Sequence, residues 1–354
     1  MKHTLKLKYY PYMLEMKHVF TVASNSRSTT PVVLAEIEYE GYTGYGEASM
    51  PPYLGETHES VLEFLSKVDL SGYTNVFDLE TILAEVDAIA PGNTAAKASI
   101  DIALHDLTGK IMNQPLCNIW GLNKDKTPYT SFTIGMDTPE IIKEKVGEAG
   151  DFKILKVKLG GDNDKEIIDA VRTVSRKPII VDVNQGWKDR DEALDMAYWL
   201  KSKNVLLLEQ PFPRNNIEDN AWLTKWSPLP IIADESVQRL NDVLKAKDVY
   251  SGINIKLMKC TGLREAYKMV ALAKALGLKV MLGCMTETSC AISAASHLSP
   301  LADYIDLDGA LLISNDLFEG TKIVNGKVIL SGLPGIGVVK IANLKSETSK
   351  KVNY

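Results

Sequence analysis

From Tyr129 onward, short runs rich in Val, Ile and Leu return at a nearly constant interval, and that rhythm restricts the fold more than any other property of the chain. The runs lie at 129–135, 153–159, 178–184, 205–210, 230–235, 252–258, 279–285 and 304–308, spaced by roughly 25 residues. Between them lie segments of helical length in which polar and apolar residues mix, such as 189–202 and 262–276. The runs have the length of strands, and the gaps are too long for hairpin turns. A strand followed by a helical crossover returns parallel to its predecessor, which makes this an α/β architecture. Eight such strands suit a closed barrel inside a ring of helices. An open doubly wound sheet is the alternative, weakened because no Gly-x-Gly-x-x-Gly follows an early strand.

The first third lacks this rhythm. Residues 31–39 (PVVLAEIEY) read as a strand, and 41–46 (GYTGYG) as a turn leading into another. Residues 95–110 have helical spacing, with Ala98, Ile102 and Leu107 near one face. The pattern breaks at GLNKDKTP, near 122–128. We therefore expect an α+β capping domain over 1–122, a barrel over 123–312, and a C-terminal segment, 313–354, that returns to the capping domain.

With 354 residues the chain can bury a large core, and its 45% hydrophobic and 24% charged residues are ordinary for a globular protein. A net charge of -5 without a long run of one sign argues against nucleic-acid and membrane partners. The N-terminus has no apolar stretch of signal-peptide length, and no run is long enough to span a bilayer, so a cytoplasmic protein is expected. Cys117, Cys260, Cys284 and Cys290 form no Cys-x-x-Cys pair and suggest neither disulfides nor a zinc site. A homo-oligomer is expected.

Polar residues interrupt the runs at their C-terminal ends, where a parallel barrel carries its catalytic groups. KILKVKLG places Lys156 and Lys158 on one face. Asp182 and Asn184 end the third run, Glu209 the fourth, and Asp234 and Glu235 the fifth. Lys256 ends the sixth, and Asp306 and Asp308 share a face of the eighth. Asp182, Glu209 and Asp234 stand at similar depth on successive strands. Unpaired, they would repel one another at a cost, whereas hard oxygen donors in that number suit Mg²⁺. Each could instead pair with a lysine or cap a helix. Lys158 and Lys256 would face each other across the barrel mouth, as two bases serving opposite faces of a carbon would. The other reading is that these lysines neutralise the acids. Two acids at 306 and 308 would welcome an ammonium ligand; the other reading is that one caps a helix and the other faces solvent. Glu287, in GCMTET, either fixes a lysine or is a loop acid. His105 reads as structural, and GLPGIG (332–337) as a turn-rich tail.

Taken in order, GYTGYGEA, AAKASIDIALHDLTGK, KVK, DVNQGW, LEQPF, ADES, INIKLMKCTG, GCMTE and DLDGA resemble the muconate lactonizing branch of the enolase superfamily, and most closely its dipeptide epimerases. The resemblance runs over nearly the whole chain. It implies an N-terminal α+β capping domain on a modified (β/α)7β TIM-like barrel. It implies Mg²⁺ on Asp182, Glu209 and Asp234, with Lys158 and Lys256 as the acid/base pair and Lys156 assisting. Asp306 and Asp308 would hold the free ammonium of a dipeptide, and Met285 and Glu287 would border the substrate. The implied reaction is 1,1-proton transfer at the α-carbon of the C-terminal residue. Ala-Glu epimerases often carry an arginine in the early loop that closes over the site. In FTVASNSRS that position aligns with Ser24, with Arg27 close by, so small or uncharged side chains are expected. An Ala-Glu epimerase, a muconate cycloisomerase or o-succinylbenzoate synthase on the same scaffold, and a non-catalytic metal-binding barrel are the alternatives.

Overall fold

The computed structural model describes residues 4–22 and 25–341. Its first layer is an antiparallel sheet in which β1 (Lys6–Val22) pairs with β2 (Asn25–Tyr39) and β2 with β3 (Tyr42–Ser49). Glu40 and Gly41 both take positive φ (49° and 84°), the geometry of a two-residue turn that matches strand twist. Three helices follow, α1 (His58–Ser66), α2 (Leu79–Ala88) and α3 (Thr94–Ile111). The sequence suggested one buried face for α3, but residues 95–109 are buried all round. One side of α3 meets β3 so closely that a Cβ on Gly46 would lie 1.9 Å from the Ser99 carbonyl oxygen, and one on Gly44 2.1 Å from that of Ala103. On another side the Asp101 carboxylate accepts from Leu263 N (2.5 Å) and Arg264 N (3.1 Å). The helix is thus the filling between cap and barrel, and its small residues permit the close approach.

After the short α4 (Leu116–Ile119), strand and helix alternate: β4 (Ser131–Ile134), α5 (Pro139–Glu148), β5 (Ile154–Lys158), α6 (Asp164–Val174), β6 (Ile179–Asp182), α7 (Arg190–Ser202) and β7 (Val205–Glu209). The series continues with α8 (Ile217–Trp226), β8 (Ile231–Ala233), α9 (Leu240–Ala246), β9 (Gly252–Ile255), α10 (Leu263–Ala275), β10 (Lys279–Gly283), α11 (Ser289–Ser296) and β11 (Tyr304–Asp306). Neighbouring strands are parallel, in sequence order from β4 to β11. Thr130 pairs with Ile305 across the remaining seam, and Leu307 N donates to Thr130 Oγ1 at 2.8 Å, so the sheet closes. Among the described residues only a short 3₁₀ turn, Gly309–Leu312, and no α-helix follows β11, which makes the barrel (β/α)7β. No helix of the described residues is long and apolar enough to cross a membrane.

Period two explains the interior. Ile180, Leu207, Ile232 and Met281 form an apolar layer, with Ile154 and Tyr304 packed against it. Two residues further along the same chains, on the same side, stand Lys156, Asp182, Glu209, Asp234 and Asp306. A dry hydrocarbon floor therefore lies directly under a charged layer. The observed strands are shorter than the apolar runs because the last residues of each run, Asp234, Lys256 and Asp308 among them, already leave the sheet.

Beyond the barrel, β12 (Phe318–Glu319) pairs with β15 (Val339–Lys340), and β13 (Lys322–Val324) with β14 (Lys327–Ile329). Bridges join Met16 to Ile313 and Pro115 to Gly335, and Lys340 Nζ donates to Glu36 Oε1 at 2.7 Å.

Candidate active site

The charged layer is a dense network of ion pairs. Lys156 Nζ lies 3.1 Å from Asp182 Oδ2, 2.8 Å from Glu209 Oε2 and 2.8 Å from Asp306 Oδ2. Lys158 Nζ donates to Asp182 Oδ2 (2.6 Å), and Lys256 Nζ to Asp234 Oδ2 (2.6 Å). Lys259 Nζ spends its three donors on Asp234 Oδ1, Asp234 O and Asn254 O, at 2.6, 2.6 and 2.9 Å. Asn254 Nδ2 donates to Glu209 Oε1 at 2.7 Å. One carboxylate oxygen from each of Asp182, Glu209 and Asp234 lies within 4.8 Å of the others.

These surroundings set the protonation states. Burial opposes ionisation of Asp182, but Lys158 and Lys156 outweigh it and bring its carboxyl down to about 2. Burial also opposes ionisation of Asp234, and Lys256 and Lys259 hold it well below the carboxylate range. Glu209 is pushed up to about 7 by burial and by Asp182. Its Oε2 meets Lys156 at ion-pair distance yet receives no hydrogen bond. An under-satisfied buried oxygen among clustered hard donors fits a small divalent cation better than a closed salt-bridge network.

In the ring of eight strands, β5 and β9 have three strands between them on either side. Lys158 ends β5 and Lys256 follows β9, so the two stand diametrically opposed at the cavity that both line. Asp306 accepts from Ser131 Oγ (2.7 Å) and Thr133 Oγ1 (3.3 Å) besides Lys156, and Asp308 accepts from Thr133 N (2.6 Å) and Oγ1 (3.1 Å). Burial and the neighbouring Asp306 push Asp308 up to about 7.

The cap supplies the remaining wall. Arg27, Pro52 and Tyr53 line the cavity, and burial pulls the Arg27 guanidinium down from its ordinary value. Arg27 Nη2 donates to Thr286 Oγ1 at 3.1 Å, and Tyr53 Oη to Met285 Sδ at 3.4 Å. FTVASNSRS, expected as a loop, is instead mostly the end of the β1–β2 hairpin, with Phe20 opposite Arg27 and Val22 opposite Asn25. Ser24 lies outside the described residues. Met285 lines the cavity. Glu287 is 1% exposed and accepts from Met285 N at 3.1 Å, so it stands behind that wall, bound to the loop, with burial and Glu47 pushing it up to about 8.

The sequence reading singled out neither Lys259 nor Asn254. Asn254 sits two residues before Lys256 on one face, so strand periodicity pointed to it. Lys259 follows Lys256 by one tight turn, closed by Lys259 N to Lys256 O at 3.0 Å. Nothing local in the sequence shows that turn to be buried.

Residues 11–121 match the family described as mandelate racemase / muconate lactonizing enzyme, N-terminal domain, and residues 139–340 the family described as enolase C-terminal domain-like. An L-Ala-D/L-Glu epimerase of Bacteroides thetaiotaomicron is 63% identical, over 95% of this chain and 88% of its own. The substrate-liganded L-Ala-D/L-Glu epimerase from Bacillus subtilis superposes with a TM-score of 0.90 at 28% identity, over 97% of this chain and 100% of that one. The dipeptide epimerase from Cytophaga hutchinsonii, complexed with Mg and D-Ala-L-Val, superposes with a TM-score of 0.89 at 26% identity, over 98% of each chain.

Proposed function

Because the chain belongs to the mandelate racemase and muconate lactonizing enzyme family of the enolase superfamily, we propose that it is a Mg²⁺-dependent dipeptide epimerase that inverts the α-carbon of the C-terminal residue. The observation that carries the reading is the diametric placement of Lys158 and Lys256 across one cavity. In this reading one Nζ, as the free amine, takes the α-proton from one face. The other, as ammonium, delivers a proton to the opposite face. Lys156 lies beside Lys158 on the same strand face and assists it. Asp182, Glu209 and Asp234 would hold Mg²⁺, which supplies positive charge where the substrate carboxylate gains negative charge as the proton leaves. Asp306 and Asp308 receive the dipeptide ammonium, which relieves the repulsion between them. We keep 1–122 as the cap, 123–312 as the barrel and 313–354 as the returning segment; for the described residues up to 341, the return is supported by the Lys340–Glu36 contact.

The expectation of small or uncharged side chains rested on no arginine being positioned for a substrate carboxylate. Arg27 stands in the cavity wall, and the relative with 63% identity is an L-Ala-D/L-Glu epimerase, so we include glutamate among the accepted C-terminal residues. The test is proton NMR in D₂O with Mg²⁺ and L-Ala-L-Glu, L-Ala-L-Ala or N-acetyl-L-Ala-L-Ala. Exchange and epimerisation at the C-terminal α-carbon are expected for the two free dipeptides, and the acetylated one should be much poorer. Arg27→Ala should lower kcat/KM for L-Ala-L-Glu by roughly 10- to 100-fold, the value of a charge-assisted hydrogen bond, while sparing L-Ala-L-Ala. Absence of exchange with every dipeptide would overturn the assignment.

A further inference from the structure

The motif GYTGYGEA contains a carboxylate that the proton chemistry does not use. Glu47, on β3, is fully buried, and its oxygens point at the barrel rather than into the cap. Thr288 N donates to its Oε1 at 2.9 Å and to its Oε2 at 3.2 Å, Ala291 N donates to Oε2 at 3.3 Å, and Thr288 Oγ1 donates to Oε2. Burying a carboxylate is costly, and an apolar residue would fill the same space without that cost. Burial pushes the Glu47 carboxyl up to about 7, and what offsets that cost is the first turn of α11, where backbone N–H groups have no partner within the helix.

Two residues along the same face of β3, Ser49 Oγ donates to Thr286 O at 2.7 Å. The cap therefore grips the five residues between β10 and α11 at two points, 286 and 288. Met285 and Thr286, the residues between Tyr53 and Arg27 in the cavity wall, belong to that segment. We propose that Glu47 is a positioning residue for substrate selection: from the capping sheet it fixes Cys284–Thr288, and so sets the site against which Arg27 presents its guanidinium to the substrate side chain. This rests on the dipeptide epimerase reading and goes beyond it, because it assigns selectivity to a group that touches no substrate.

The test compares wild type, Glu47→Gln and Glu47→Asp on L-Ala-L-Glu and L-Ala-L-Ala, with Mg²⁺ affinity measured by calorimetry. An amide turns its NH₂ towards N–H donors and loses part of the grip, whereas aspartate keeps the charge with a shorter reach. Glu47→Gln should raise KM for L-Ala-L-Glu roughly tenfold, the loss of about one hydrogen bond's worth of alignment, with kcat changed less than about threefold. Its selectivity for L-Ala-L-Glu over L-Ala-L-Ala should fall by a similar factor, its Mg²⁺ affinity should stay at the wild-type value, and Glu47→Asp should fall between. If Glu47→Gln does not fold, a loss of selectivity in Glu47→Asp carries the same expectation. Unchanged selectivity in a folded variant, or an equal loss of kcat on both substrates together with weakened Mg²⁺ binding, would overturn the inference. A wild-type enzyme inert towards both dipeptides would instead overturn the functional reading beneath it.

Discussion

Lys158 and Lys256 each donate to a different carboxylate of the triad, so removing one leaves the other's anchor intact. Neither Lys158→Ala nor Lys256→Ala should interconvert isomers, with losses on the order of a thousandfold or more. Solvent deuterium should still enter from one isomer only in each variant, the one whose proton the remaining lysine reaches. NMR of both isomers in D₂O checks this, and near-wild-type interconversion in both variants excludes the two-base scheme. At this scale the sequence was informative wherever a charge broke an apolar strand, because such a charge is costly without a purpose. That argument found Lys156, Asp182, Glu209, Asp234 and Asp306. It could not find Lys259 or Glu47, whose purpose lies in contacts with distant backbone that no local pattern encodes.

Helix α11 is held at both ends, by Glu47 at its start and by His297 just past its last turn. His297 Nδ1 accepts from Cys117 N at 3.1 Å, which requires a neutral ring, and burial lowers its pKa to about 4. Between the ordinary histidine value near 6.5 and about 4, the unfolded chain binds a proton that the native protein does not. Stability should therefore fall as pH drops through that window, by about 3 kcal/mol in all. Urea unfolding at pH 7.5 and 4.5 should show a steeper loss in wild type than in His297→Gln, and parallel losses would remove His297 as the cause. Among elements, the eight strands were legible because hydrocarbon on both sides of a parallel strand makes a continuous run. The all-round burial of α3 was not, since Ala and Ser residues that face the cap sheet resemble an exposed face until Gly44 and Gly46 are seen against them. The paired backbone at 20–22 and 25–27 was missed because Asn25 and Ser26 read as loop residues, and only pairing with the other strand makes them extended.

Across the whole molecule, the lysines compensate the three buried carboxylates unevenly and leave Glu209 raised to about 7, so Mg²⁺ should stabilise the fold as well as activate it. At a hundred times its Kd, the ion should add about 2.7 kcal/mol. Chelation should abolish epimerisation and lower the unfolding midpoint, and Asp234→Asn should lose most of the Mg²⁺-dependent rise. A midpoint indifferent to Mg²⁺ in wild type would count against the triad as the binding site. The cavity has two owners. The groups placed around the reacting carbon hang from barrel strands, while Arg27, Pro52 and Tyr53 reach in from a separate layer. Exchanging one of those three removes no hydrogen bond of the barrel ladder. A lineage built on this scaffold can therefore change its diet by drift in the cap while inheriting its proton chemistry intact.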